Sequence, residues 1–307
     1  MTRQRGLKAC VWLSLLALLS LSAPRSVFSE SDGSSNNVEV VRFLVHGQRD
    51  REPAIAVWPR GKYVKGERLP LVIAFHGKGE QKLGVERGYR AWVERYGLVP
   101  AYEALLGGVL VREAFGGLVR DAELKALNAD LKARAFKGVL VVGVYTPDLM
   151  AEVDHPERID AYAAWVAEKL VPKAQRMFPV LSQEPHSAGV DGVSLGGMVA
   201  LEVGLRHPEV FASVGTMQPA IRGREAELAA RAEQAQRTFP QTLRLLSSDH
   251  DPLLDTTRKL SEELRKRRVA HTLEVTPGGH DYAFNQGPGA IQLLLFHDRA
   301  LRPDGRP

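Results

Sequence analysis

Ser194 sits at the centre of Gly192-Val193-Ser194-Leu195-Gly196, a G-x-S-x-G pentapeptide. Alone the pattern is weak in a chain that carries 28 glycines. Its setting strengthens it. The stretch from Ser187 to Val193 reads as a short strand, and a helix is predicted from Gly197 to Arg206. A serine on so sharp a strand-to-helix turn needs tiny neighbours two residues before and two after, so that strand and helix can approach each other. The helix N-terminus then offers unpaired N–H groups and a positive dipole end to a developing oxyanion. The plainer alternative is a Gly-rich turn between a strand and a helix.

A serine hydroxyl is not a nucleophile without a base. The strongest base is His280, in Pro277-Gly278-Gly279-His280-Asp281-Tyr282. It follows a strand predicted over His271 to Val275. Its Gly-rich loop would lie at the carboxyl edge of the sheet, where open α/β sheets bind ligands. His46, His155, His186, His207, His250, His271 and His297 are read as surface or core residues. The imidazole in turn needs an orienting carboxylate. Asp249, Asp251 and Asp255 compete, all after a strand predicted over Leu243 to Ser247. Asp251 is preferred because it lies further into the loop, just ahead of Pro252. Asp255 has the alternative role of capping a helix that starts at Thr256. Stabilising a tetrahedral intermediate takes two backbone N–H groups. Leu195 supplies one. The loop His76-Gly77-Lys78-Gly79 supplies the other, with Gly77 and Lys78 as candidates. Together these groups point to acyl transfer through a covalent intermediate.

The elements that must position these residues are legible as alternation. Val38 to Val45 and Ala54 to Trp58 read as strands. Leu69 to Phe75 is a continuous apolar run ending at His76-Gly77, the pattern of a central parallel strand covered on both faces. Val139 to Tyr145 is the next strand. Between them, residues 79–137 form an insertion too long for a simple connection. Helices are predicted there near Gly88 to Tyr96 and over Ala122 to Ala133, where Leu124, Leu127 and Leu131 carry helical spacing. Further on, helices at Ile159 to Met177, Glu225 to Arg237, Thr256 to Arg267 and Ala290 to Ala300 alternate with strands, including Phe211 to Met217. That alternation implies βαβ units and a mostly parallel sheet.

The bulk numbers narrow the class. The chain has 307 residues, 44% of them hydrophobic and 25% charged, an ordinary globular composition. Residues 1–29 read as a signal peptide: Arg3, Arg5 and Lys8, then an apolar run from Ala9 to Leu21, then Val27-Phe28-Ser29 as a small-x-small cleavage pattern. The run is too short to span a membrane. Residues 30–37 read as a flexible leader, and residues 38–307 as one domain. Removing the signal takes four basic side chains and lowers the formal net charge from +5 to +1. The basic pI of the precursor is therefore no argument for a nucleic-acid partner, and Arg265-Lys266-Arg267-Arg268 reads as a solvated helix end. The single cysteine, Cys10, leaves with the signal. No disulfide, thiolate nucleophile or cysteine metal site is then expected, and the histidines lack H-E-x-x-H spacing. The expectation is an exported protein, periplasmic or extracellular, with no cofactor and no metal.

Four stretches carry a resemblance: Phe75-His76-Gly77, Gly192-Val193-Ser194-Leu195-Gly196-Gly197, Asp249-His250-Asp251-Pro252 and Gly278-Gly279-His280-Asp281-Tyr282. In order and setting they resemble the esterase-D and feruloyl-esterase-like branch of the α/β hydrolases, over residues 69–298. The chain order Ser, Asp, His is that fold's order. The resemblance implies a mostly parallel sheet flanked by helices. It implies hydrolysis of carboxylic esters, small or polymeric, with Ser194 as nucleophile, Asp251 as orienting acid and His280 as base. An amidase, peptidase or polyester depolymerase on the same residues is the alternative within enzymes; a binding protein that keeps the fold without turnover lies outside them. The insertion 79–137 departs from the family. It is expected to form a helical cap, with Tyr89, Trp92, Tyr96 and Phe115 either lining an acyl pocket or packing the cap onto the body.

Overall fold

The computed structural model describes residues 35–47, 50–61, 68–152 and 155–302. The stretch read as a signal peptide and most of the stretch read as a leader lie outside these residues. Among the described residues, eight strands form one sheet in the order β1-β2-β4-β3-β5-β6-β7-β8. They are β1 (Val38–Gly47), β2 (Asp50–Pro59), β3 (Leu71–Phe75), β4 (Leu140–Val144), β5 (Ala188–Gly192), β6 (Phe211–Met217), β7 (Thr242–Ser248) and β8 (Thr272–Thr276). The β1–β2 and β2–β4 pairs are antiparallel, and β3 through β8 run parallel to one another. The expected mostly parallel α/β sheet is what the chain forms.

The physical reason lies in the side-chain alternation of the central strands. Leu71, Ile73 and Phe75 point into one buried layer, and Val72 and Ala74 into the other. Successive side chains of a strand face opposite sides, so a strand apolar at every position must be covered twice. One face is covered by the helices Leu195–Arg206, Glu225–Thr238 and Leu254–Lys266 and by the helical run from Pro156 to Met177. That run passes through a π-helical turn at Val166–Leu170, just ahead of Pro172. A proline inside a helix has no N–H to give, and a widened turn absorbs the misfit.

The other face is covered by the closing helix Ala290–Ala300 and by the insertion. Residues 79–137 contain single turns at Val85–Gly88 and Ala91–Glu94, where the sequence predicts one helix from Gly88 to Tyr96. They also contain a helix, Leu98–Leu106, absent from the sequence-based expectation. Its inward residues Leu98, Ala101, Tyr102 and Leu105 do carry helical spacing, and Pro100 sits in the first turn, where no intrahelical N–H is needed. These side chains pack with Val38, Val40, Ile55 and Val57 of the β1–β2 hairpin. Tyr89, Trp92, Tyr96 and Phe115 are all buried in the same layer. Most of the aromatic surface of the insertion is thus spent on packing against the sheet.

The strand order reverses direction beside β3: the chain goes from β3 outward to β4, then returns to β5 on β3's other side. A crevice opens at the carboxyl ends of strands at such a switch point. Phe75 ends β3 there and Gly192 ends β5.

Candidate active site

Ser194 follows β5 and precedes the helix Leu195–Arg206. Its backbone is held at φ 59° and ψ −115°, a positive-φ position that a residue with a side chain rarely takes. Three contacts fix it. The Ser194 N–H donates to the Met217 carbonyl at 2.9 Å, the Ala220 N–H donates to the Ser194 carbonyl at 3.0 Å, and the Val193 N–H donates to the Phe75 carbonyl at 3.3 Å. The flanking glycines are required by space. A methyl group at Gly192 would strike the Gly196 backbone, and one at Gly196 would strike the carbonyls of Phe75 and His76. Neighbours that over-determine the turn allow the strain at Ser194 to persist.

The imidazole of His280 lies within reach of that hydroxyl: its Nε2 is 3.0 Å from Ser194 Oγ. Its Nδ1 is 2.9 Å from Asp251 Oδ1. Three side chains from three different loops therefore form one hydrogen-bonded chain. Nδ1–H donates to the carboxylate, which leaves the Nε2 lone pair for the serine proton. Asp251 is buried just beyond the end of β7. Burial alone would push its carboxyl upward. Hydrogen bonds from His280, from Ser247 Oγ at 2.6 Å and from the Leu253 N–H at 2.9 Å outweigh this and hold it below the usual carboxylate range.

The two rival carboxylates face elsewhere. Asp249 accepts the Gly278 N–H at 3.1 Å and meets His250 Nδ1 at 2.8 Å and Arg120 Nη2 at 3.1 Å. It ties the loop after β7 to the loop that carries His280, and Arg120 ties both to the insertion. Asp255 lies exposed in the first turn of Leu254–Lys266, 3.5 Å from Arg258. The position before that helix is Leu253, which makes no side-chain cap.

The loop after β3 needs one correction to the expected oxyanion donors. The N–H of Gly77 is already engaged by the Tyr96 hydroxyl at 3.0 Å, so it has no free hydrogen to offer. Among the described residues, no protein acceptor takes the N–H of Lys78 or of Leu195. Each opens a helical turn, where the first N–H groups lack partners. The loop itself is latched by His76, which is buried. Its backbone N–H donates to Thr146 Oγ1 at 2.9 Å, its Nε2 accepts the Thr146 N–H at 2.9 Å, and its Nδ1 lies 2.9 Å from the Gly77 carbonyl.

Several residues of the site have no signal in the sequence. Gln218, buried with φ 47°, follows β6 and sends its amide to Ser248 Oγ and to the Gly279 carbonyl, each at 2.7 Å. It braces the His280 loop from beside the nucleophile. Glu80 and Tyr282 meet across the loop after β3 at 2.5 Å. Nothing in local pattern distinguishes Gln218 or Glu80. Tyr282 lies in a stretch that carries the family resemblance, yet the resemblance assigns it no role. No cluster of three or more His, Cys, Asp or Glu suited to a metal ion occurs among the described residues.

A serine on a strained strand-to-helix turn at the switch point of a parallel sheet, with an aspartate and a histidine arriving on the loops after β7 and β8, decides the architecture. The fold is that of the α/β hydrolases. The Esterase family model, described as "Putative esterase", matches residues 145–286, which hold Ser194, Asp251 and His280. Among curated proteins none matches the chain. Solved structures agree on the fold. A ferulic acid esterase superposes with TM-score 0.58 at 15% identity, covering 86% of this chain and 98% of its own. The S-formylglutathione hydrolase of Staphylococcus aureus gives 0.54 at 11%, covering 85% and 97%. A mutant feruloyl esterase module from Clostridium thermocellum, complexed with sinapinate, gives 0.55 at 10%, covering 87% and 91%. The chain resembles the serine esterases of this fold, as its four short stretches imply. No helix of the described residues is long and apolar enough to cross a membrane.

Proposed function

We propose that the protein is an exported serine hydrolase that cleaves carboxylic esters through an acyl-enzyme. The observation that carries this reading is the unbroken chain from Ser194 Oγ through His280 to Asp251, with steps of 3.0 and 2.9 Å, at a strained strand-to-helix turn. The family match and the esterase neighbours support the ester as substrate class. The basic, apolar and small-residue order of residues 1–29 supports export.

In the proposed reaction His280 Nε2 takes the proton of Ser194 as its oxygen attacks the ester carbonyl. The N–H groups of Leu195 and Lys78 hold the oxyanion of the tetrahedral intermediate. Asp251 stabilises the imidazolium and keeps its Nδ1–H pointed inward. His280 then gives the proton to the departing alcohol. Water repeats the cycle on the acyl-enzyme, with His280 again as base.

Ser194→Ala should abolish turnover of p-nitrophenyl esters and end covalent labelling by a fluorophosphonate, while the variant stays folded by circular dichroism. Labelling that survives in the alanine variant would place the nucleophile elsewhere. Matched anilides tested beside the esters separate an esterase from an amidase.

A further inference from the structure

Glu80 is a carboxylate hidden beside the reaction site, 3% exposed, in the single turn Lys78–Gln81 directly after the oxyanion loop. The proposed chemistry gives it no task. Both its oxygens are engaged by tyrosines from other parts of the chain. One accepts the hydroxyl of Tyr96. The other accepts the hydroxyl of Tyr282 at 2.5 Å. Arg95 completes the group, with Nη1 donating to the Tyr282 hydroxyl at 3.2 Å and lying 4.0 Å from Glu80.

Each tyrosine ends on catalytic machinery. The Tyr96 oxygen, whose O–H donates to Glu80, accepts the N–H of Gly77 at 3.0 Å. That contact sets the plane of the peptide on the near side of Gly77, one residue ahead of the Lys78 N–H. Tyr282 lies two residues beyond His280 and opens the short turn Tyr282–Phe284, whose start is capped by Asp281 accepting the Phe284 N–H at 3.0 Å. The geometry is crowded: a methyl group built on Gly77 would lie 3.2 Å from the Tyr96 hydroxyl and 3.7 Å from both Glu80 and Ser194 Cβ. A carboxylate offers each hydroxyl its own acceptor oxygen, whereas an amide presents only N–H donors at one of the two positions.

We propose that Glu80 is a positioning residue that couples the oxyanion donor to the general base. Through Tyr96 it aims the Gly77–Lys78 backbone, and through Tyr282 it anchors the loop that holds His280 against Ser194. This rests on the reading of Ser194 as nucleophile and Lys78 N–H as oxyanion donor.

The two arms separate by substrate. A thionoester, with C=S in place of C=O, accepts hydrogen bonds poorly and gains little from a well-aimed oxyanion hole. Loss of one oxyanion donor outright costs about 10²–10³ in rate, and misaiming it costs part of that. Tyr96→Phe should lower kcat on an oxygen ester about 10-fold or more, with KM within about 3-fold, and leave the thionoester nearly unchanged, so that the ester-to-thionoester ratio falls about 10-fold. Tyr282→Phe should slow both substrates alike and leave the ratio in place. Glu80→Gln should do both. Ratios in Tyr96→Phe and Glu80→Gln within about 2-fold of the parent, or an equal loss on both substrates, would overturn the proposal in favour of a purely structural Glu80. If Tyr96→Phe fails to fold, the ratio in Glu80→Gln decides. Ser194→Ala, measured alongside, keeps the two ideas apart. An active alanine variant removes the underlying reading, whereas an inactive one with unchanged ratios removes only the role of Glu80.

Discussion

Replacing His76 by glutamine should remove a large part of the protein's sensitivity to acid. His76 is fully enclosed and makes two ring contacts that only one neutral form satisfies. Its Nδ1–H donates to the Gly77 carbonyl and its Nε2 accepts the Thr146 N–H. Adding a proton at Nε2 would set one N–H against another. Burial is the largest cause of the lowered pKa, which falls from 6.5 to about 4; the Gly77 carbonyl and the charge of Glu80 oppose it and lose. The sign follows from linkage. With the folded value below the unfolded one, the unfolded chain takes up the proton first as pH falls. The stabilisation is whole above about pH 6.5 and drains away toward about pH 4. A tenfold difference in proton affinity between the folded and unfolded chains corresponds to about 1.4 kcal/mol, so this one group removes about 2 kcal/mol by pH 5 and about 3 kcal/mol by pH 4. Glutamine keeps an acceptor for Thr146 and does not titrate. Urea unfolding of both proteins at about pH 7.5, 5 and 4 gives the difference directly, and the carboxylates common to both cancel. The gap between parent and variant should shrink by those amounts on acidification. A parent and His76→Gln that lose stability in parallel, within about 0.5 kcal/mol, would refute the argument.

The competing carboxylates separate by magnitude. Asp251→Asn should lower kcat by about 10³–10⁴, because the wrong imidazole tautomer would be held toward Ser194; Asp249→Asn, which loosens a loop contact, should cost about 10-fold or less, both measured with p-nitrophenyl esters. A further prediction concerns stability alone. Arg244, fully buried, meets Asp191 at 2.7 Å and the Gln292 carbonyl at 2.7 Å, with its guanidinium 4.6 Å from the Phe296 ring centre. Arg244→Met leaves the Asp191 carboxylate in the core with the Gly192 N–H and His297, and should cost about 3–5 kcal/mol in urea unfolding. Adding Asp191→Asn should recover part of the loss, and a single variant as stable as its parent would contradict this.

That buried group also shows how the site is supported from below. Asp191 is the residue before Gly192, and its Oδ1 accepts the Gly192 N–H at 2.8 Å. His297 from the closing helix reaches both Asp191 at 3.2 Å and Ser213 on β6 at 2.7 Å. The end of β5 is therefore held by side chains from β6, β7 and the final helix. His297, expected on the surface or in the core, is a core residue. It stands beneath the Ser194 turn, bonded to Asp191 and Ser213.

The elements that are legible in the sequence are those governed by local physics. An apolar strand that must be covered twice is readable from Leu71 to Phe75, because its pattern depends on no partner. The sharp turn at Ser194 is readable because a serine at such a turn needs glycines at fixed offsets. His280 and the acidic loop are readable as candidates because the fold places a histidine and an aspartate of such sites after particular strands. The helix Leu98–Leu106 escapes a reading of the sequence although its spacing is helical, since the glycines and proline around it suggest irregular chain.

Other features belong to distance alone. Asp249 and Asp251 have the same chemistry two residues apart, and only the convergence of the loops after β7 and β8 turns one toward the imidazole and the other toward a backbone N–H. Gly77 and Lys78 are adjacent donors. Which one stays free depends on a tyrosine hydroxyl nineteen residues away in the chain. Gln218 and Glu80 are ordinary polar residues until burial denies them water and leaves other loops as their only partners. Residue types and spacing could thus name a candidate reaction and the three side chains that meet in the structure, because chemical need constrains them locally. Aim, availability and support of those groups were decided by tertiary packing, because a hydrogen bond depends on where two atoms end up and no local pattern encodes that.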